Sequence, residues 1–234
     1  MAPVHANFQE LKARFHAAAG APRAGREPLF PTAIPSIDAL LGGGLPSGAL
    51  VTLEGAPTAG CRSLAAALLA QATRRGLGAI IDGGELYPPG LEAAGVRLDR
   101  LLIVPAGTPI GIARAADLLL RSRAARVVVM AATRLRAAVW MRLANLAQRA
   151  GVVLVVLTSR VSAELSAVAT VCLSCRIERI LCSGTRGLWS VFTGFDVKTE
   201  LHKHKLRNSL TRLSSMDSGD TSACAQRSCS EELA

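Results

Sequence analysis

Residues 55–63 read GAPTAGCRS and carry the frame of a phosphate-binding loop without its chemistry. A working loop reads G-x-x-x-x-G-K-[ST]. Its glycines let backbone N–H groups cradle phosphate, its lysine neutralises the β/γ-phosphates and its hydroxyl ligates magnesium. Gly55 and Gly60 stand at the two glycine positions. Cys61 takes the place of the lysine and Arg62 that of the hydroxyl. Ser63 comes one residue late, on another azimuth of the helix that must follow. The backbone cradle, with Ala59 and Gly60 leading into a helix N-terminus, needs no side chains and can hold an anion. Arg62 adds a cation beside it, so metal-independent anion binding stays open next to simple decay of the site. A helix N-terminus favours a thiolate at Cys61, but no general base adjoins it, and loss of the lysine is the preferred reading. The expectation is a protein that catalyses nothing, needs no cofactor or metal, and works by binding partners.

The elements that must hold this loop follow from hydrophobic pattern. Residues 49–54 form a buried strand running into the glycines, and Leu64, Leu68, Leu69 and Ala72 line one face of the next helix. Strands are expected at 79–82, 101–104, 126–131 and 152–157. Helices marked by Ile112, Ala116 and Leu119, then by Val139, Leu143, Leu146 and Ala150, lie between them. Aliphatic strands without alternation, separated by helices, make a mostly parallel α/β sheet covered on both faces. After Val168 the pattern alternates (Val171, Leu173, Cys175, Ile177), and stretches at 188–195 and 196–206 leave little room for helices. Antiparallel C-terminal edge strands are therefore expected. Ser36 is expected to cap a short helix over 37–41 that Gly42 ends, followed by a turn at 45–48.

Three regions result. Residues 1–28 read as an N-terminal helix and a Pro/Gly/Arg linker, with Asn7 to Glu10 resembling a capping box. Residues 29–207 form the core, and 208–234 read as a disordered Ser/Thr-rich tail. The formal net charge of +10 suits nucleic acid or an acidic protein, although arginine and alanine enrichment also follows from base composition. Aromatics are only 3% of residues, which counts against a dedicated single-strand binder with stacking platforms. The start of the chain has no apolar signal core, no run is long enough to span a bilayer, and the six cysteines form no disulfide framework. A cytoplasmic protein with no membrane contact is expected.

Residues 32–60, TAIPSIDALLGGGLPSGALVTLEGAPTAG, resemble the RecA recombinase family through S-I-D-x-L-L-G-G-G-L-P-x-G placed ahead of a strand and phosphate loop. Similar matches follow at 80–89, 127–133, 143–159 and 194–207, so the resemblance covers roughly residues 30–207. It implies a RecA-like core, and it also exposes departures. The metal-binding strand should end in aspartate, where Met130, Ala131 and Ala132 stand. The family's catalytic carboxylate should lie two residues beyond Asp82, where Gly84 stands and Glu85 is one step off. The DNA loops are reduced, the second to a few residues between 160 and 168.

Within the superfamily, a short core with a decayed nucleotide site resembles the ImuA family of mutasome accessory proteins, itself related to the SulA division inhibitor. That resemblance implies a role in SOS-induced, error-prone translesion synthesis, with RecA and an ImuB-type polymerase-like protein as partners. The alternatives are a divergent DNA-dependent ATPase and a DNA-binding recombination mediator. Basic candidates for DNA phosphate or an acidic partner are Arg134, Arg136 and Arg160, where recombinases hold their DNA loops, and Lys203, Lys205 and Arg207 on the last strand. Phe15 to Ala18 match the F-x-x-A pattern by which some family members polymerise. A helix carrying Phe8, Leu11 and Phe15 either docks on RecA or a second copy, or packs on its own core. Cys172 and Cys175 resemble half a zinc knuckle, but residues three apart in a strand face opposite ways, so packing is expected instead. His202 and His204 read as a solvated edge.

Overall fold

The computed structural model describes residues 29–84, 86–183 and 191–205. The N-terminal helix with Phe8, Leu11, Phe15 and Ala18, the linker, Glu85, Arg207 and the tail lie outside the described residues.

A small annex precedes the main sheet. Strand β1 (Leu29–Phe30) pairs antiparallel with β2 (Leu45–Pro46), so part of the expected turn at 45–48 is strand. Helix α1 (Pro35–Leu41) lies between them and opens on proline, whose fixed φ suits a first helical position. Its N-cap is Ile34 with no side-chain bond, which corrects the expected Ser36 cap. Asp38 organises the entry instead. Its carboxylate accepts from the Thr32 N–H (2.9 Å), the Thr32 hydroxyl (2.8 Å) and the Ala33 N–H (3.1 Å).

The main sheet has seven strands in the order β5-β4-β6-β7-β3-β8-β9. They are β3 (Leu50–Glu54), β4 (Leu77–Asp82), β5 (Leu101–Pro105), β6 (Ala125–Ala131), β7 (Val153–Thr158), β8 (Val171–Ser183) and β9 (Val191–His204). All neighbours are parallel except β8 and β9. The expected antiparallel C-terminal edge is the β8–β9 pair, and residues 191–204, expected as parts of two stretches, form the single strand β9. Helices α2 (Cys61–Arg75), α3 (Pro88–Ala93), α4 (Pro109–Ser122), α5 (Ala137–Ala150) and α6 (Ala163–Val168) fill the crossovers. The short α6 occupies the stretch read from sequence as a shrunken loop. Ser162 caps it, accepting from the Leu165 N–H at 3.3 Å.

Alternation along the aliphatic strands feeds two cores. Val51, Leu53, Val127, Val129 and Val155 face α1 and α2. Val128, Met130, Leu154 and Val156 face α4, α5 and α6, around the fully buried Trp140. Removing that indole (Trp140→Ala) would cost about 3–5 kcal/mol. Both faces being covered explains why the strands read as unbroken apolar runs.

Candidate functional site: a filled phosphate-loop frame

Strand β3 delivers the loop to the carboxyl end of the sheet, where open α/β sheets bind ligands. The Gly55 N–H donates to the Thr158 carbonyl of β7 at 3.0 Å, so the loop starts anchored to its neighbour strand. Gly60 caps α2 with φ 89°, a left-handed conformation that favours glycine. Residues 56–58 are exposed, whereas Ala59 and Gly60 are buried.

Neighbouring atoms crowd the two glycines of the loop. A Cβ on Gly55 would lie 2.8 Å from the Cys61 Sγ, 2.8 Å from the Cys175 carbonyl oxygen and 2.7 Å from the Ala59 Cβ. On Gly60 it would lie 2.5 Å from a methyl of Val197 on β9. Cys61 is only 7% exposed and belongs to the core cluster that also holds Cys175. The two thiols influence each other's ionisation through a hydrogen-bonding interaction. That interaction, followed by the Cys61 N–H, pulls the Cys61 pKa below the ordinary thiol range against burial and the Glu54 charge. The same interaction and burial push Cys175 up, with Thr199 opposing. Cys61 is thus the first of the pair to ionise.

Ala131 and Gly84 stand where the family resemblance expects carboxylates. Ala131 ends β6 exposed, and alternation sets it on the α2 face with Val127 and Val129. Met130 is fully buried on the other face. Asp82 is committed to the turn after β4, accepting from the Gly84 N–H (2.7 Å) and the Leu86 N–H (3.0 Å). Arg62 and Ser63 are exposed on the first turn of α2.

The basic candidates separate into two places. Arg134 and Arg136 are exposed on the β6–α5 connection and Arg160 just beyond β7. The Ala132 N–H bonds the Leu157 carbonyl (2.7 Å), so these connections adjoin at the same sheet end as the loop. Lys203 lies opposite Cys172, towards the amino end of β8. Its ammonium donates to the Ser166 carbonyl, and that of Lys205 to the Ala167 carbonyl at 2.7 Å. Both lysines thereby satisfy the last carbonyls of α6. Burial, then the Lys203 charge, lowers the Lys205 pKa, with a smaller opposing effect from Cys172. A bulge between Cys172 and Leu173 interrupts the alternation near His202, whose Nε2 meets the Ser174 Oγ at 2.7 Å. Cys172 and Cys175 pack in the two different cores, as their spacing requires. Sequence reasoning missed Cys175 and Val197 as the residues that crowd Gly55 and Gly60, since both lie more than a hundred residues away from them.

The fold and the loop together define a RecA-like α/β core. The family model of the MT3502 N-terminal domain matches residues 38–163, more than half of the chain, and the chain belongs to that family. Over 97 residues, 41% of the chain, it is 35% identical to Protein RecA of Nostoc punctiforme (strain ATCC 29133 / PCC 73102). The match spans only 27% of that relative. The crystal structure of the RadB recombinase matches with a TM-score of 0.59 at 18% identity, covering 76% of this chain and 90% of that one. No helix among the described residues is long and apolar enough to cross a membrane.

Proposed function

We propose that this chain is a non-catalytic RecA-like adaptor of SOS-induced, error-prone translesion synthesis, of the ImuA kind. It works in the cytoplasm by contacts with RecA and an ImuB-type polymerase-like protein. The N-terminal segment around Phe15 and Ala18 serves docking or self-association. One observation carries this reading: the phosphate-loop frame is kept while Cys61, Arg62 and Ala131 stand at its working positions. Cys61 is packed against Cys175, and Ala131 stands where a metal-binding aspartate would end β6.

The test is ATP turnover by the purified chain with magnesium, with and without single-stranded DNA, beside capture of purified RecA and the polymerase-like protein. Release of phosphate at the buffer level with capture of either partner supports the adaptor. DNA-stimulated turnover overturns it in favour of a divergent ATPase. Exposure of Arg134, Arg136 and Arg160 at one sheet end favours a second reading, a recombination mediator that holds DNA directly. Three phosphate contacts would give log K against log salt a slope of about −2 on single strands.

A further inference from the structure

We propose that Cys61 and Cys175 are a redox modification site, at which hydrogen peroxide converts the two thiols to a disulfide joining the first residue of α2 to β8. Neither residue is placed for this by the adaptor reading, and the inference stands whether or not that reading holds. The geometry is the argument. Two reduced, buried cysteines share one core. A single point, the Cβ position of Gly55, lies 2.8 Å from both the Cys61 Sγ and the Cys175 carbonyl oxygen. Glycine at 55 is what lets the thiol lie there.

The chemistry divides between the two sulfurs. Cys61 begins α2, and the Cys175 thiol, then its own N–H, favour the thiolate, the reactive form. Its sulfur attacks one peroxide oxygen, the O–O bond breaks, and the departing hydroxide takes a proton to become water. The sulfenic acid so formed is attacked by the Cys175 sulfur. The S–O bond breaks, and the second hydroxide leaves as water with the Cys175 proton. Two electrons pass from the thiols to the peroxide, which becomes two waters. Cys175 keeps its proton, with the Cys61 interaction and burial opposing its loss, until the leaving hydroxide takes it. Oxidation removes the thiolate from the loop and ties α2 to β8, so the charge and freedom of the loop become redox-dependent.

Cys172 is the built-in control, because it is also buried but faces the opposite core. Exposed Cys182 reports that oxidant was delivered. The full chain is treated with hydrogen peroxide, quenched, alkylated and mapped by mass spectrometry without reduction. Residues 161–176 fall in one tryptic peptide with both Cys172 and Cys175, so the map is repeated on Cys172→Ser. The expected result is a 61–175 crosslink in both proteins, lost in Cys61→Ser and reversed by dithiothreitol. The proposal is overturned if Cys182 oxidises while both buried thiols stay reduced. It is equally overturned if Cys61 proceeds to sulfinate without crosslinking, or if its link vanishes in Cys172→Ser.

Discussion

Cys61→Lys restores the charge that the loop lacks, and the structure determines how far that goes. An ammonium held where the Cys61 thiol now sits, 7% exposed and against Cys175, would meet a desolvation penalty of several kcal/mol. The lysine stem must instead run outward over residues 56–58, which are exposed. There it meets whatever anion the backbone N–H groups hold. A hydrogen bond to a charged group contributes about 1.5–3 kcal/mol. At about 1.4 kcal/mol per decade, pyrophosphate should bind roughly 10–150-fold tighter than to the parent chain. Turnover demands more than this charge, because the metal must also be held. Arg62 stands at the hydroxyl position and Ala131 at the end of β6. Calorimetric titration with pyrophosphate, and phosphate release from ATP with magnesium and single-stranded DNA, measure the two effects separately. A thermal melt establishes that the variant is folded. The expected pair of results is tighter pyrophosphate binding and phosphate release at the buffer level. ATP hydrolysis by Cys61→Lys alone would refute the inference that metal ligation is lost. Unchanged pyrophosphate affinity in the folded variant would refute persistence of the cradle.

Gly55→Ala places a methyl within 2.8 Å of a backbone oxygen, and should cost about 1–3 kcal/mol by overpacking. Gly83→Ala meets nothing within 4 Å and should change stability by less than about 1 kcal/mol, and paired urea melts compare the two. Thr73 is fully buried; its hydroxyl donates to the Leu69 carbonyl (2.9 Å) and accepts the Arg97 N–H (3.1 Å). Thr73→Val should therefore lose about 1–3 kcal/mol by orphaning that N–H, read as a lower melting midpoint. The thiol pair predicts a pH signature. With Cys61 lowered, the unfolded chain holds the extra proton between the folded pKa and the unfolded value near about 8.5, so stability rises with pH across that window. With Cys175 raised, the folded chain holds the extra proton above that value, and stability falls. Urea melts across both windows should show this maximum in the parent and lose it in Cys61→Ser.

The strands and long helices were legible because burial on both sheet faces selects aliphatic residues without polar interruption. Val127 to Ala131 can be little else than an inner strand, and Val139, Leu143 and Leu146 repeat at helical spacing. Short polar elements were not. Helix α6 has six residues and one buried side chain, Leu165, too few for a period to register. Missing it also hid what Lys203 and Lys205 do, since their partners are the carbonyls at its end. Ser36 is a good capping residue by type, yet Pro35 and the Asp38 bonds to Thr32 and Ala33 start the helix earlier. In the loop, the missing lysine could be read directly, whereas what replaced it could not. The Cys61–Cys175 contact depends on β8 lying beside β3, a pairing between strands far apart in sequence.

That contact changes what the two glycines mean. In a nucleotide-binding loop, glycines are explained by phosphate approaching the backbone. Here each has a reason internal to the protein. Gly55 is hemmed by the Cys175 carbonyl and the Cys61 thiol, and Gly60 combines a positive φ with Val197 against its α-carbon. Neither reason refers to a ligand. The fold therefore requires the glycine frame whatever residues stand at positions 61, 62 and 131. The frame reports ancestry and packing, while the chemistry of the site is reported by Cys61, Arg62 and Ala131. Gly55→Ala separates the two meanings. A frame kept for packing makes the variant less stable in buffer free of any phosphate. A frame kept only for an anion makes it as stable as the parent until pyrophosphate is added.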